Sequence, residues 1–360
     1  MKISVRLLAA AVSLFLCCAA ASASISFDGV KGLVARRVPS LAGKVEFYER
    51  AAAPGYADTY ELSVENGKLI VKASSQTAAS MAVNWYLNIY CHESLSHNGD
   101  NAGGIDGKLP ETGGHIVKNS RFGYRYALNY CTYNYSYSFY DWNDWERELD
   151  WMALHGVNLM LAPLGCELVW ANVLRQYGFS DAEIENFVAG PGYTAWWLMG
   201  NLQGWGGPMS RDMMESRADM QRRIMARMKE LGIEPVLQGF WGMVPTALAE
   251  KYPSAKIADQ GMWGRVFQRP AVLLPDDPLF SKMADSWYAE LKSQYGNDIK
   301  YLGGDLFHEG GDTTGVNVTR TARLIQESMQ HNLPGSIWML QGWSGNPKKE
   351  LLAGLSPEHT

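Results

Sequence analysis

Cysteine is scarce in this chain of 360 residues, which contains five. Cys17 and Cys18 fall in an apolar run at the N-terminus, and the other three are Cys91, Cys131 and Cys166. An odd number of widely separated cysteines is not a disulfide framework. The chain also lacks the Cys-x-x-Cys and His-x-x-x-His pairs that commonly bind zinc. We therefore expect three buried thiols and no metal centre.

A basic surface and nucleotide-binding motifs are lacking as well. The net charge of −5 provides no positive footprint for nucleic acid, so no nucleic-acid partner is expected. No Gly-x-Gly-x-x-Gly motif follows a predicted strand, and the sequence has no phosphate-binding loop. These absences argue against a doubly wound nucleotide-binding fold and leave other α/β architectures open.

Long hydrophobic runs are absent except near the N-terminus. Lys2 and Arg6 precede residues 7–20, which are apolar and uncharged, and residues 21–23 form a small-x-small cleavage pattern. The run is short for a membrane span, and no later segment is apolar enough to be one. Lipid attachment is the weaker alternative, because bulky residues rather than a small one precede the cysteines of the run. Residues 1–23 are thus predicted to be a cleaved signal peptide.

Aromatic residues, by contrast, are abundant. They make up 12% of the chain, which contains 13 Trp and 18 Tyr. Aromatic faces stack on the apolar faces of sugar rings, so this enrichment fits a carbohydrate site. Large cores and domain interfaces use the same residues, however. Composition alone leaves both interpretations open.

Residues 24–118 are predicted to form a small mixed α/β domain. Asn66 and Gly67 are a hairpin turn signal between strands at 60–64 and 69–73, and a helix is predicted for 74–90. Nothing in this part has a catalytic pattern. A structural or accessory role is therefore the simpler expectation.

Residues 119–360 are predicted to form a parallel β–α domain, because strand-like runs alternate there with amphipathic helices. The predicted strands are 124–132, 157–163, 235–240, 300–307 and 336–340. Polar and aromatic residues follow these strands, as expected when an active site lies at the carboxyl face of a (β/α)8 barrel. Five strands do not close such a barrel. We therefore predict an α/β fold with an incomplete (β/α)8 barrel, cut off before its last strands.

Glu309 is the candidate catalytic acid. It closes the segment Asp305-Leu306-Phe307-His308-Glu309, which follows a predicted buried strand. A glycosidase acid needs a carboxyl group whose pKa is raised by partial burial, and a neighbour such as Phe307 can supply that burial. The alternative is a solvated glutamate in a loop, and the local pattern does not decide between the two. Asp305, four residues earlier, is either a second acid or, as the simpler expectation, a residue that orients neighbouring groups from within the strand.

Other carboxylates are weaker candidates. Glu146 and Glu148 lie on a predicted helix and are expected to face solvent, whereas Glu167 follows a strand and either lines the site or braces it. Six tryptophans near the presumed βα loops could contribute a sugar platform, although most of them are expected to be core residues. They are Trp196, Trp197, Trp205, Trp241, Trp263 and Trp343.

Seven short segments also stand out together. They are 125–132, 141–158, 190–191, 195–196, 199–202, 207–208 and 341–343, and Trp205 accompanies them. Their order and spacing resemble the α-N-acetylglucosaminidases of glycoside hydrolase family 89, from about Arg121 to the end and more loosely before it. The resemblance implies a retaining glycosidase, without a cofactor, that removes terminal α-linked N-acetylglucosamine from glycans.

The resemblance also implies roles for particular residues. Glu309 matches the general acid/base of the family. His308 stands where the animal lysosomal type has Asn, and either side chain can hydrogen-bond the sugar. The positions that line the pocket for terminal N-acetylglucosamine are matched by Asn129, Cys131, Trp196, Met199, Trp263 and Trp343.

The resemblance further limits what this chain is expected to do. The nucleophile of the family is a second carboxylate on a later barrel strand, and no residue here matches it. The alternative is therefore an inactive truncated fragment or a degenerate sugar-binding paralogue; another barrel specificity, such as a β-hexosaminidase, is a weaker one. The signal peptide indicates a periplasmic or secreted protein, or a lysosomal one in a eukaryote. The sequence does not predict the oligomeric state.

Overall fold

The computed structural model describes residues 24–103, 105 and 107–360. The predicted signal peptide, residues 1–23, lies outside the described residues. Within the described part, no helix combines the length and the apolar character that a membrane crossing requires. The described residues form a small α/β unit followed by a larger unit built on parallel strands.

Strands and helices are numbered here along the described chain. The strands are β1 (Val45–Glu49), β2 (Asp58–Glu65), β3 (Lys68–Ala73), β4 (Ser94–Ser96), β5 (Gly99–Asn101), β6 (Ile116–Ser120), β7 (Tyr126–Ala127), β8 (Leu159–Leu161), β9 (Glu234–Gln238), β10 (Met243–Val244), β11 (Ile257–Ala258), β12 (Met262–Trp263), β13 (Phe267–Gln268), β14 (Ala271–Leu273), β15 (Tyr301–Gly303) and β16 (Ile337–Trp338). The α-helices are α1 (Asp28–Arg37), α2 (Gln76–Tyr86), α3 (Tyr130–Ser136), α4 (Trp142–Leu154), α5 (Cys166–Gln176), α6 (Asp181–Phe187), α7 (Thr194–Leu198), α8 (Arg211–Leu231), α9 (Leu248–Lys251), α10 (Pro278–Tyr295), α11 (Val318–Asn332) and α12 (Lys349–Leu352).

The small unit is built on a mixed four-stranded sheet in the order β1-β3-β2-β6. β2 and β3 pair antiparallel through a turn at Asn66 and Gly67, whose φ angles of 50° and 77° are left-handed. Asn and Gly tolerate this conformation better than other residues, and the predicted hairpin is confirmed. Helix α2 packs against β2 and β3. β6 pairs with β2 as far as Ser120, two residues past the predicted domain boundary.

The larger unit is built on five parallel strands in the order β16-β15-β9-β8-β7. They are the five predicted strands, and their neighbours in space are their neighbours along the chain, as in a (β/α)8 barrel. Val236, Leu302 and Trp338 from three of the strands are at most 1% exposed. In the described residues the sheet does not close, and β7 and β16 are its edges. The predicted incomplete barrel is confirmed.

All five predicted strands end earlier than expected, and the two that are shortened most at this end, by five and four residues, end at the site. The prediction of one strand over 124–132 is wrong after Ala127, because Leu128 has a φ of 69° and Asn129 caps helix α3. The prediction for 300–307 is wrong after Gly303, because Gly304 has a φ of 133°. A residue with positive φ cannot continue a strand ladder. Each strand therefore gives way early to a turn that carries polar residues.

Buried polar contacts join the two units. Arg36 of α1 donates to the two carboxylate oxygens of Asp150 in α4 at 3.0 and 2.7 Å. Glu148, also in α4, is 4% exposed; it accepts a hydrogen bond from Tyr137 at 3.1 Å and lies 3.1 Å from a ring nitrogen of His97. The prediction that Glu148 faces solvent is wrong, because the small unit covers this face of the helix.

Candidate active site

Glu309 lies in a 3-10 turn, His308–Gly310, just beyond the carboxyl end of β15. Phe307 and Glu309 have φ angles of 52° and 46°, so two non-glycine residues of this short segment are left-handed. Phe307 is fully buried, and Glu309 is half-buried. Such conformations are unfavourable for residues with side chains and persist only where surrounding contacts hold them. The turn is therefore a constrained element and differs from a free loop.

Two side chains hold Glu309 from outside its own strand. Asn201, which follows α7, donates from Nδ2 to Glu309 Oε2 at 2.7 Å. Arg269, between β13 and β14, donates to the backbone oxygens of His308 at 2.9 Å and Glu309 at 2.7 Å, and to Asn201 Oδ1 at 3.1 Å. Asn201 is 0% exposed and Arg269 is 1% exposed. Burial lowers the pKa of Arg269, and the Glu309 carboxylate offsets this only in part.

Asp305 is a second carboxyl group close to the end of β15. It is 4% exposed, and its two oxygens accept hydrogen bonds from the backbone N–H and the side-chain amide of Gln341, both at 3.2 Å. Burial raises the pKa of Asp305 to about 7, and the Gln341 hydrogen bonds oppose this effect without cancelling it. Gln341 also donates to Met199 Sδ at 3.4 Å and accepts from Tyr130 N at 3.3 Å. As expected, Asp305 orients a neighbour.

His308 is 2% exposed and lies beside both carboxyl groups. Its Nε2 atom is 4.0 Å from Asp305 Oδ2. Among the described residues, neither ring nitrogen has a hydrogen-bond partner. Burial lowers the pKa of His308, and the opposing effects of the Glu309 carboxylate and the Arg269 guanidinium leave it below the ordinary value. A neutral imidazole here can both donate and accept a hydrogen bond.

Helix α3 brings two predicted pocket residues towards this cluster. The Asn129 side chain accepts a hydrogen bond from Thr132 N at 2.8 Å and so caps the helix. Cys131 is half-buried and unpaired. Burial raises the pKa of the Cys131 thiol, and the Glu309 carboxylate raises it further. A thiol with a raised pKa is a poor nucleophile, which agrees with the expectation that Cys131 has no nucleophilic role.

The predicted aromatic and sulfur-containing residues occupy different environments. Trp196 in α7 is half-buried, with its ring centroid 5.5 Å from that of Tyr135, while Met199 is fully buried. Trp263 in β12 packs against Phe267 at 5.5 Å, on the hairpin that leads into Arg269. Trp343 is 51% exposed. It lines an open cleft of about 390 Å³ together with Glu309, Gly310, Ser344, Gly345, Asn346 and Lys348.

Glu167 braces the fold and does not line the site. It is 0% exposed, and its Oε1 atom lies 2.8 Å from Arg217 Nε in α8. Trp197 and Trp241 are core residues at 0% and 1% exposure. Within the ranges described, no group of three or more His, Cys, Asp or Glu residues lies close enough together to hold a metal ion.

The sequence analysis did not assign a role to Asn201, Gln341 or Arg269. Asn201 and Gln341 belong to quoted segments of the family resemblance, so a signal was available for both. Arg269 had no such signal, because a single arginine after a short hairpin looks like many surface arginines. Its burial and its contacts with three backbone oxygens, those of Gly200, His308 and Glu309, became visible only in three dimensions.

Comparison with known proteins covers most of the described chain. Residues 125–354 match the α-N-acetylglucosaminidase (NAGLU) TIM-barrel domain, and residues 28–111 match the α-N-acetylglucosaminidase (NAGLU) N-terminal domain. The chain belongs to the α-N-acetylglucosaminidase family. The resemblance inferred from the seven segments is therefore confirmed.

Two members of the α-N-acetylglucosaminidase family show how much of a family protein this chain represents. Human α-N-acetylglucosaminidase is 33% identical over 325 residues, which are 87% of this chain and 43% of the human protein. A family 89 glycoside hydrolase from Clostridium perfringens is 36% identical with a TM-score of 0.88, covering 92% of this chain and 38% of that one. The chain thus spans less than half the length of these relatives.

The bacterial relative has been solved with ligands. One structure is a complex with 2-acetamido-1,2-dideoxynojirimycin. Another contains a variant with two Glu-to-Gln substitutions in complex with its substrate GlcNAc-α-1,4-galactose. A family 20 exo-β-N-acetylglucosaminidase from Vibrio harveyi is only 12% identical with a TM-score of 0.51, and its likeness shows the fold alone.

Proposed function

We propose that the protein is a glycoside hydrolase that removes terminal α-linked N-acetylglucosamine from glycans, with Glu309 as general acid/base. The observation that carries the proposal is the hydrogen bond from Asn201 to the half-buried Glu309 carboxylate, in a constrained turn after a parallel strand. Family membership supports the activity. The C. perfringens relative, which was solved in complex with its substrate GlcNAc-α-1,4-galactose, supports the substrate class.

The proposed mechanism is a double displacement with retention of the anomeric configuration. A carboxylate attacks the anomeric carbon while Glu309 donates its proton to the glycosidic oxygen, and the C–O bond to the leaving group breaks. Glu309 then takes a proton from water, which opens the glycosyl-enzyme. In retaining enzymes the two carboxyl groups lie roughly 5 Å apart. The two Glu-to-Gln substitutions of the substrate-bound relative agree with a requirement for two glutamates.

We assign the nucleophile to a residue outside this chain. Asp305 is the other carboxyl group in the cluster, but its oxygens are occupied by Gln341 and its burial favours the protonated form. A nucleophile must be ionised and exposed to the sugar. The alternative is an inactive fragment or a degenerate sugar-binding paralogue.

The proposed sugar pocket uses the residues that the family resemblance indicated. His308 has two unpartnered ring nitrogens, which suits a hydrogen bond to a sugar hydroxyl or amide. Trp343 presents an exposed ring in the cleft beside Glu309, which suits stacking on a pyranose face. The remaining proposed contacts are Asn129, Cys131, Trp196, Met199 and Trp263. We also propose that the protein is exported, on the strength of residues 1–23.

Hydrolysis of GlcNAc-α-1,4-galactose by the complete translation product of the reading frame tests the proposal. Glu309→Gln is expected to lower kcat/KM by roughly 100- to 10,000-fold, the usual contribution of a general acid. Asp312→Asn, which removes an exposed carboxylate from the same loop, is the matched control and should leave activity within about twofold of the parent. NMR of the first product should show the α-anomer of N-acetylglucosamine.

Three results would contradict the proposal. Full activity of Glu309→Gln would remove the assigned acid/base, and a β-anomer as the first product would exclude retention. If residues 24–360 hydrolyse the disaccharide as fast as the complete product, the nucleophile lies within this chain. Reading the DNA downstream of the Thr360 codon separates the two candidate functions. A continuing frame supports the enzyme, whereas an immediate stop codon supports the fragment or paralogue.

A further inference from the structure

We propose that Asn201 and Arg269 are positioning residues for Glu309. Asn201 holds one carboxylate oxygen, Oε2, so that the other, Oε1, exchanges the proton with substrate and water, while Arg269 holds the turn on which Glu309 lies. This inference rests on the proposed acid/base role of Glu309. The inference adds Asn201, which contacts the Glu309 carboxylate, and Arg269, which contacts the backbone of its turn.

The Asn201 amide has only one favourable orientation between its two partners. Its Nδ2 atom lies 2.7 Å from Glu309 Oε2, and its Oδ1 atom lies 3.1 Å from Arg269 Nη1. A flipped amide would point oxygen at a carboxylate and N–H at a guanidinium, and both contacts would be repulsive. Since Asn201 is 0% exposed, water cannot replace either partner easily. The amide therefore fixes which carboxylate oxygen is engaged.

Arg269 stabilises a turn whose backbone conformation is unfavourable for the residues that form it. Phe307 and Glu309 are left-handed at φ 52° and 46°. Arg269 donates to the carbonyl oxygens of His308 and Glu309, which belong to this turn. A third bond, from Nη1 to Gly200 O at 3.2 Å, ties the loop of Asn201 to the same guanidinium. One cation thus fixes both the acid and the amide that holds it.

The charges around Glu309 make Arg269 important in a second way. Arg269 bonds directly to the backbone oxygen of Glu309, and it reaches the carboxylate group through Asn201. The other titratable groups facing Glu309 are His308 in the same turn, Cys131 from α3, and Lys348, which precedes α12 and lines the cleft. Arg269 and Asn201 thus place a cation and an N–H donor on the side of the carboxylate that carries Oε2. Oε1 stays free to carry the proton in the first step.

Leaving-group dependence distinguishes a positioning residue from a structural one. In the complete product, Asn201→Ala is expected to lower kcat/KM on GlcNAc-α-1,4-galactose roughly 100-fold, since small displacements of a catalytic group have effects of this size. On a dinitrophenyl α-N-acetylglucosaminide, whose leaving group needs no proton, kcat/KM should fall less than about tenfold. There kcat and KM should fall together, because the glycosyl-enzyme accumulates. Gln203→Ala is the matched control. It removes a side-chain amide from the same loop, but this amide donates to Thr246.

The pH profile provides a second readout that a structural role would not move. Asn201→Asp keeps the size of the side chain and the acceptor for Arg269 but places a negative charge against Glu309. The basic limb of kcat/KM should move to higher pH by about one pH unit, because the carboxyl group then retains its proton longer. Equal losses on both substrates with an unmoved basic limb would overturn the proposal.

A crystal structure of Asn201→Ala decides the matter independently of activity. The Glu309 carboxylate should leave its position while the Arg269 contacts with the turn persist; an unmoved carboxylate would overturn the proposal. Failure of the proposed function would look different. In that case Glu309→Gln itself would show no dependence on the leaving group, or the parent would hydrolyse neither substrate.

Discussion

Two buried arginines in the larger unit meet carboxylates in opposite ways. Arg217 of α8 pairs directly with Glu167, at 2.8 Å, between helices that flank the sheet. Arg269, at the carboxyl edge of the sheet, donates to the backbone oxygen of Glu309 but reaches the Glu309 carboxylate only through the Asn201 amide. Burial acts to lower the pKa of both arginines. For Arg217 the Glu167 carboxylate outweighs burial and the net pKa is raised, whereas for Arg269 burial prevails.

The difference separates a carboxylate that holds the fold from one that can exchange a proton. Glu167 is 0% exposed and pairs directly with the full charge of Arg217. Glu309 is half-buried, and one of its oxygens accepts a hydrogen bond from a neutral amide. Direct pairing with a guanidinium strongly favours the carboxylate and would oppose its protonation. An intervening amide keeps the geometry fixed while it weakens that electrostatic preference.

Removal of Arg217 is expected to have the largest effect on stability. Arg217→Met leaves Glu167 buried without a cation, which should lower the free energy of unfolding by about 3–5 kcal/mol. Arg269→Met leaves carbonyl groups without donors but strands no fully buried charge, so a loss of about 1–3 kcal/mol is expected. Denaturant unfolding at pH 7 measures both values.

A double variant tests the reason for that difference. Glu167→Gln combined with Arg217→Met removes both charges and should recover part of the stability that Arg217→Met loses. If the double variant is as unstable as the sum of the single ones, the pair does not act through an uncompensated charge. If Arg269→Met proves the more destabilising arginine variant, the comparison between the two sites is reversed.

The next largest expected effect is the pH dependence of stability that Asp305 causes. Burial of its carboxyl group determines the sign of this dependence. Its pKa rises from the ordinary 3.8 to about 7 in the folded protein, so folding favours the protonated form. The contribution of protonated Asp305 to the free energy of unfolding is fully present below pH 3.8 and is lost as the pH rises through about 7. Between pH 4.5 and pH 7 the loss amounts to about 3 kcal/mol, since one unit of pKa corresponds to about 1.4 kcal/mol.

Asp305→Asn should remove this dependence. We expect the free energy of unfolding of the parent, relative to Asp305→Asn, to fall by about 3 kcal/mol from pH 4.5 to pH 7. His308 is present in both proteins, so its own titration largely cancels in the difference. Parallel pH curves for the two proteins would show that Asp305 is ionised throughout this range. Asp305 would then not be a titrating group of the site.

The sequence predicted the elements of this fold better than their ends. The five parallel strands and the hairpin turn at Asn66 and Gly67 followed from local patterns, and the structure confirms them. The ends at Ala127 and Gly303 were missed because they depend on left-handed residues, Leu128 among them, whose side chains give no warning. Helical periodicity likewise predicted that Glu148 faces solvent, because the pattern of one helix carries no information about a neighbouring domain.

In the candidate site, too, some features were predictable from local sequence patterns and others were not. Glu309 and its position after a strand were predictable, because a strand followed by an acid is visible in one dimension. The pairing of Arg217 with Glu167 and the hydrogen bond from Arg269 to the Glu309 backbone join residues 50 and 40 positions apart. Contacts over such distances depend on the packing of several helices and loops. A single sequence does not encode them in any local pattern.

The smallest predicted effect concerns Asn129, the cap of helix α3. This helix lies near both Arg217 and Glu309. Helix α3 carries Tyr133, whose OH accepts from Arg217 Nη2 at 3.5 Å, and Cys131, which is close enough to Glu309 to be affected by its charge. Asn129 caps this helix, so Asn129→Ala should lower the free energy of unfolding by about 1 kcal/mol. Asn129→Ser retains a capping oxygen and should change stability by no more than a few tenths of that value.

The two variants separate the capping role of Asn129 from its proposed sugar contact. If the amide also binds N-acetylglucosamine, both variants should weaken that binding in calorimetric titration, although only Asn129→Ala loses stability. Weakened binding in Asn129→Ala alone would mean that Asn129 acts through the helix, by placing Cys131 in the pocket. Equal stability of all three proteins would show that the cap contributes nothing measurable. In that case α3 is held by its packing between the two buried arginine sites.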